Sequence, residues 1–275
     1  MKKLLLLSIF IVTISCQKSS NDVSPTANCY MSKLTLTTKT TVPLQSTSTS
    51  YNIVYDASQK ISKIYNTDYG YLAEYVHSTN KVIVKTYDVF NGKNTLKTTN
   101  TITLNSKDQI IQTLEENEIE KKAANYVPIT TKFEYNDKGY VTKSGFYTIA
   151  YEYNSTGLPS KITNNYIVNG QIFLSNSDLY EYYTEYKVTD FANKEALYDY
   201  GSHGSYNLRP FMKFVKSIKH YEANILKYEA LFTYAFNTDN KKVKNITQIN
   251  YNYTSTGVKI NTPTTSIQEF EYQCK

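Results

Sequence analysis

The chain is predicted to be all-β: an antiparallel meander of many hairpins, curved or barrel-like, with at most one or two short helices. Three observations predict it. There are 28 Tyr, no Trp and only 9 Gly in 275 residues, and Tyr, Thr, Ile and Val suit pleated, half-buried strands. A degenerate unit recurs along the chain, clearest as YNIVYDASQKISKI from Tyr51, FEYNDKGYVTK from Phe133 and YEYNSTGLPSKI from Tyr151. Fainter copies are ITLNSKDQIIQ from Ile102 and YAFNTDNKKVKNI from Tyr234, and turn-like STN, NGKN and STG break the stretches between them.

Each part of the unit has a physical task. Aromatics two apart lie on one face of a strand. Asn or Asp, often with Gly, accepts the positive φ of a tight turn, and the next apolar residue resumes the sheet. Tyr55, Ile61 and Ile64 therefore share a buried face, as do Phe133, Tyr135 and Val141. Lys and Glu fall on the opposite face, which suits a sheet with one wet side. A dozen or more such strands exceed what an open twisted sheet carries without curling. The charge opposite the aromatics also excludes a wall that spans a membrane, whose outer face must be apolar.

Before the domain, residues 1–15 join Lys2 and Lys3 to an apolar run too short to span a bilayer, ending in Ser15 before Cys16. This segment resembles a bacterial lipoprotein signal, which implies cleavage before Cys16 and lipid on that cysteine. Residues 16–28 are then the lipidated cysteine and a polar tether reaching at most about 40 Å, and residues 29–275 a single β domain. Losing Lys2 and Lys3 and no acid lowers the formal charge from +6 to +4. The remaining lysines are interspersed with acids, so no nucleic-acid partner is expected. Cys29 and Cys274 are left at the two ends of the domain. An exported compartment permits a disulfide between them, which would make the first and last strands neighbours; two separate buried thiols are the alternative.

Two segments depart from the repeat. Residues 114–125, LEENEIEKKAAN, read as a short helix or as the polar tip of a long hairpin, and residues 189–200 carry the cap and spacing signals of a short helix.

The leader, the Y-x-Y-[ND]-x-x-G-x-[IVL]-x-K units and the terminal Cys29 and Cys274 together resemble a group of Bacteroidetes lipoproteins of unknown function. That resemblance implies a porin-like, many-stranded antiparallel sheet in the cell envelope, anchored to the outer membrane. The units are more distantly similar to the YD repeats of Rhs-type proteins. The resemblance carries no catalytic residue.

Catalytic signals are poor. His77, His203 and His220 lack metal-ligand spacing, so no metal or cofactor is expected. Asp199, Ser202 and His203 are adjacent in sequence without a nucleophile-elbow motif, and LEENEIE is the kind of charge run that water solvates. The expectation is a non-enzymatic binding module for a glycan or peptide, with a structural role in an envelope assembly as the rival and a hydrolase more remote. Tyr69, Tyr71, Tyr198, Tyr200 and Tyr206 lie near turns rather than in the repeat and are the candidate ligand-binding residues, since a phenol combines flat apolar area with a hydroxyl.

Overall fold

A computed structural model describes residues 29–41, 43–66, 68, 70–185, 214–238 and 242–274. Among them sixteen antiparallel strands close into one barrel. The first eight are β1 (Cys29–Thr41), β2 (Leu44–Tyr55), β3 (Ile61–Asn66), β4 (Tyr71–Ser78), β5 (Lys81–Phe90), β6 (Lys93–Leu104), β7 (Ile110–Asn117) and β8 (Ile129–Tyr135). The rest are β9 (Val141–Ser144), β10 (Tyr147–Tyr153), β11 (Pro159–Val168), β12 (Gln171–Tyr182), β13 (Val215–Glu222), β14 (Ile225–Phe236), β15 (Val243–Asn252) and β16 (Thr264–Cys274). Each strand pairs with its neighbours in sequence and β16 returns to β1, so no edge is open and the barrel is complete within residues 29–274. The meander expected from the repeat is thus a closed sheet. Residues 114–125 are the end of β7 followed by a connection with one 3-10 turn, Glu120–Lys122, so the hairpin-tip alternative holds there. The helix expected at residues 189–200 lies outside the described residues.

The two ends of the barrel are built differently. At one end the repeat turns fold around an acceptor side chain: Oδ1 of Asp56, Asn105, Asn136 and Asn154 takes the backbone N–H groups two and four residues on, at 2.8–3.0 Å. The fourth residue of each turn has positive φ: Gln59 (63°), Asp108 (57°), Gly139 (80°) and Gly157 (79°). Two of these four are not glycine and hold a conformation that L side chains resist. Asp108→Gly is therefore expected to raise stability by about 1 kcal/mol in urea unfolding. The other end, the mouth, has tight two-residue turns with both φ positive, as at Asn91–Gly92, Asn169–Gly170 and Ala223–Asn224.

The core fills the end with the repeat turns. Met31, Leu34, Ile53, Ile64, Ile102, Phe133, Val141, Phe214, Val243 and Phe270 pack inward there as one cluster. This is the packed end. The repeat's aromatics also tie the wall together. Seven of the eight odd-numbered strands bring a bulge to this end: on β1, β3, β7, β9, β11, β13 and β15 the register skips one residue next to the first core position. In every case a side chain of the following strand donates to the carbonyl just before the extra residue. Tyr55 reaches Met31, Tyr135 Ile110, Tyr151 Val141, Tyr182 Pro159, Tyr234 Val215 and Tyr272 Val243, while His77 Nε2 reaches Ile61, all at 2.6–2.9 Å. β5 starts without a bulge, and the matching residue on β6 is Leu104, which has nothing to donate. The phenols thus satisfy backbone acceptors that the bulges withdraw from the ladder.

On the outer face the repeat's Glu and Lys meet across strands, as Glu134–Lys143 (3.1 Å), Glu152–Lys161 (2.8 Å) and Glu271–Lys33 (3.1 Å). Exposed pairs of this kind are each worth about 0–1 kcal/mol, so they mark a wall facing water more than they hold it. The third pair joins the ends of the chain. Phe270-Glu271-Tyr272 and Met31-Ser32-Lys33 are the two halves of an eighth repeat, split between the termini. Where other units have a turn, this one has the Cys29–Cys274 disulfide, with the two cysteines directly opposite in register.

Candidate functional site

Sixteen strands enclose more space than strand side chains fill in small barrels, and closed sheets of this size leave an aqueous lumen. Here the core cluster fills one end of the barrel, and the inward positions of the half nearer the mouth are mostly polar. The register decides which residues face in. Leu34 stands opposite Tyr51 and Phe270, so Leu36, Thr38 and Thr40 follow it on the inner face, opposite Thr49, Thr47 and Gln45. The same alternation turns Thr86, Thr98, Asn100 and Thr113 inward, with Thr86 and Thr98 hydroxyls 2.6 Å apart. This side of the lumen is a surface of hydroxyls.

The opposite side, β10 to β15, carries rings and amides. Tyr147 faces Tyr166 near the mouth with ring centroids 5.2 Å apart. Deeper, the Asn164 amide donates to Asn176 at 3.0 Å. Beyond it His220 Nδ1 lies 2.7 Å from Asp178 Oδ1, His220 Nε2 lies 3.6 Å from a Glu222 oxygen, and the imidazole stacks on Tyr228 at 4.9 Å. Asp178 is buried among partners, and the contact fixes the ring face of His220 against Tyr228. A ring, two amides and a carboxylate–imidazole pair therefore descend one wall in sequence.

The inner charges are mostly acidic. Asp88, Glu115, Asp178 and Glu222 occupy inward positions; Lys97 pairs with Asp88 at 2.8 Å, and Lys93 stands at the rim. Asn100 Oδ1, beside Glu115 on the wall, is buried without a hydrogen-bond partner. A ligand hydroxyl or an ordered water is what such an acceptor takes.

Among the candidate tyrosines, Tyr71 is placed on this inner face. It pairs with Asn66 and Asp88 and meets Tyr51 edge-on at 6.0 Å, half-buried between core and lumen. Tyr69, Tyr198, Tyr200 and Tyr206 lie outside the described residues, as do Cys16 and His203. His77 is used in the wall, and among the described residues no group of three His, Cys, Asp or Glu side chains is placed to hold a metal ion. The residues that composition and motif did not single out are Asn164, Asn176, Asp178 and His220. Their only signal is period-two alternation carried across hairpins, and Asp178 and His220 meet 42 residues apart in sequence.

No protein-family model matches the chain, and no curated protein matches its sequence. Among solved structures it is similar to a porin-like protein from Bacteroides uniformis, with 11% identity over 88% of this chain and 96% of that one and a TM-score of 0.52. It is also similar to a porin-like protein from Bacteroides vulgatus, with 11% identity over 89% and 98% of the two chains and a TM-score of 0.43. The first likeness establishes a shared many-stranded antiparallel fold. Function is a matter for the site, not the fold.

Proposed function

We propose that this chain is a non-enzymatic binding protein of a bacterial cell envelope, lipid-anchored at Cys16 to the outer membrane, that takes a neutral glycan into the polar half of its barrel. The observation that carries the reading is the inner surface itself: hydroxyls on one side, and on the other two tyrosine rings above paired amides. Sugars are bound by flat apolar area beside directed donors and acceptors, and this wall supplies both. Acidic side chains in the lumen accept from sugar hydroxyls and disfavour anionic ligands. The leader at residues 1–15 and a disulfide, which belongs to oxidising compartments, support export. Asp178 and His220 act in this reading as a fixed hydrogen-bonding pair, with no nucleophile assigned to them.

Isothermal titration of residues 17–275 against a broad panel of neutral glycans tests it. At least one class is expected to bind, and Tyr166→Ala or Asn176→Ala to weaken it by about tenfold, the loss of one ring stack or one hydrogen-bonded amide. Failure of every neutral glycan to bind rejects the reading. Binding that survives both changes but is lost on Tyr198→Ala/Tyr200→Ala/Tyr206→Ala moves the site out of the lumen to those tyrosines.

A further inference from the structure

The wall of the barrel mixes charged pairs with a few exposed apolar side chains, among them Val54, Val76, Leu179 and Leu231, and its mouth is more apolar still. Six of the eight connections at that end hold large apolar side chains out in water. They are Leu44 (87% exposed) after β1, Phe90 (77%) before β6, Val127 (77%) before β8, Phe146 (73%) before β10, Phe173 (74%) after the β11 turn and Val258 (62%) before β16. The described turns at the packed end carry Ser58, Gln59, Lys60, Lys107, Lys138 and Thr156 in the corresponding places. Among the described residues such side chains stand at six of the eight mouth connections, whereas the packed-end turns have none and the nearest exposed apolar residues there, Val54 (42%), Val76 (60%) and Ile111 (38%), are fewer and smaller. Exposed apolar surface gathered in this way marks a contact.

We propose that the mouth is a membrane-docking surface, on which the barrel stands with its apolar ring sunk into the interfacial layer of a lipid bilayer. The distribution favours this occupant. A folded partner covers one patch of a rim, whereas a bilayer is a plane that receives every tip of a ring at once and needs no matching shape. Lys122 stands exposed among the apolar tips, where its stem can lie along lipid and its ammonium group reach phosphates; Lys93 is exposed at the rim and Lys259 lies over the Tyr251 ring at 3.5 Å. The Glu134–Lys143, Glu152–Lys161 and Glu271–Lys33 pairs lie at the far, packed end of the wall, which this orientation leaves in water.

The chain outside the barrel fits the same orientation. Cys29 is at the packed end, and the strands are at most 13 residues long, so a wall tilted like other barrels stands about 30–35 Å high. Residues 16–28, at most about 40 Å when extended, are enough chain to cover that height. A lipid on Cys16 and the ring at the mouth can therefore enter one membrane and give the two signals that stable anchoring takes. The lumen then opens onto headgroups, so the glycan would arrive as the headgroup of a lipid. That last step and the lipid on Cys16 rest on the function proposed above; the docking of the mouth does not.

The absence of Trp makes the test direct. In residues 17–275, which contain the whole barrel and no lipid site, Phe146→Trp and Phe173→Trp each place a single reporter at the mouth, and Lys107→Trp places one at the packed end. All three replace exposed residues at or beside turns. With vesicles of phosphatidylethanolamine and phosphatidylglycerol, free of glycolipid, emission from both mouth reporters is expected to move to the blue and to be quenched by brominated lipid, and Lys107→Trp to stay unchanged. In flotation, Phe90→Ser/Phe146→Ser/Phe173→Ser should partition roughly a thousandfold more weakly, about tenfold for each ring. Mouth reporters that do not respond, or a packed-end reporter that responds equally, overturn the proposal. So does a dimer in sedimentation that dissociates in the triple variant, since the ring would then belong to a second copy. Docking without glycan binding leaves the proposal standing and removes the function above.

Discussion

Cys29→Ser/Cys274→Ser is expected to cost the barrel about 5 kcal/mol, measured as the change in urea-unfolding free energy against the oxidised protein. The bond joins positions 245 residues apart, so its loss releases nearly the whole domain in the unfolded ensemble, and the chain-entropy relation gives this size. Domains have about 5–15 kcal/mol in total, so the variant should sit near the edge of stability. The fold explains why the loss falls here: the disulfide occupies the turn position of the split eighth repeat. A permuted chain that replaces both cysteines by the turn Asn-Asp-Lys-Gly-Tyr, copied from residues 136–140, and opens at a mouth turn should recover most of the loss. If it does not, the bond is more than a substitute for a turn.

The second large effect is expected at Tyr234. Its ring meets Phe214 at 4.6 Å in a T-shaped contact and its hydroxyl donates to Val215 at 2.9 Å. Tyr234→Ala should lose about 3–5 kcal/mol through the cavity it leaves. Tyr234→Phe should keep the packing and still lose about 1–3 kcal/mol, because the Val215 carbonyl beside its bulge is orphaned. Equal stability for wild type and Tyr234→Phe would show that the carbonyl finds water. These phenols also set an alkaline limit. Burial pushes Tyr135 up to about 12, and Tyr234 and Tyr272 upward in the same direction for the same reason. The unfolded chain releases these protons near pH 10 while the fold retains them. Their contribution is therefore full below pH 10 and falls as pH rises from about 10 to 12. Tyr135→Phe should be less stable than wild type at neutral pH and flatter across that window.

The hairpin grammar was legible because each part of it acts locally. Aromatic-x-aromatic, the Asn or Asp acceptor and the following apolar residue place Phe133, Tyr135 and Val141 on one face, as found. The bulges were not legible, since an extra residue in one strand is defined only against its partner. Nor was the eighth repeat, whose halves Phe270-Glu271-Tyr272 and Met31-Ser32-Lys33 form a unit only when the barrel closes. Residues 114–125 show the weakness of a charge run as a helix signal: four of its residues extend β7 because Leu114 and Glu115 have partners in β8. The inner wall was hidden for a similar reason. Asn164 and Asn176 look like surface amides in sequence and become lumen only through closure. Phe146 in the β9–β10 turn and Phe173 near the start of β12 are exposed by their place at the mouth, which no local pattern marks.

The split repeat sets a timetable. Synthesis delivers β1 first and β16 last, so the first strand to appear must wait for the eleven residues of β16 before one of its edges is covered. Meander neighbours can zip in order as they emerge, but ring closure has the longest sequence separation in the fold and belongs to the slow end of contact-order behaviour. In that interval β1 and the growing front are two open edges able to pair with other chains. A barrel without edges when finished is, during its making, a protein with two, and the pairing of β16 with β1, locked by the Cys29–Cys274 bond, is the event that ends this exposure.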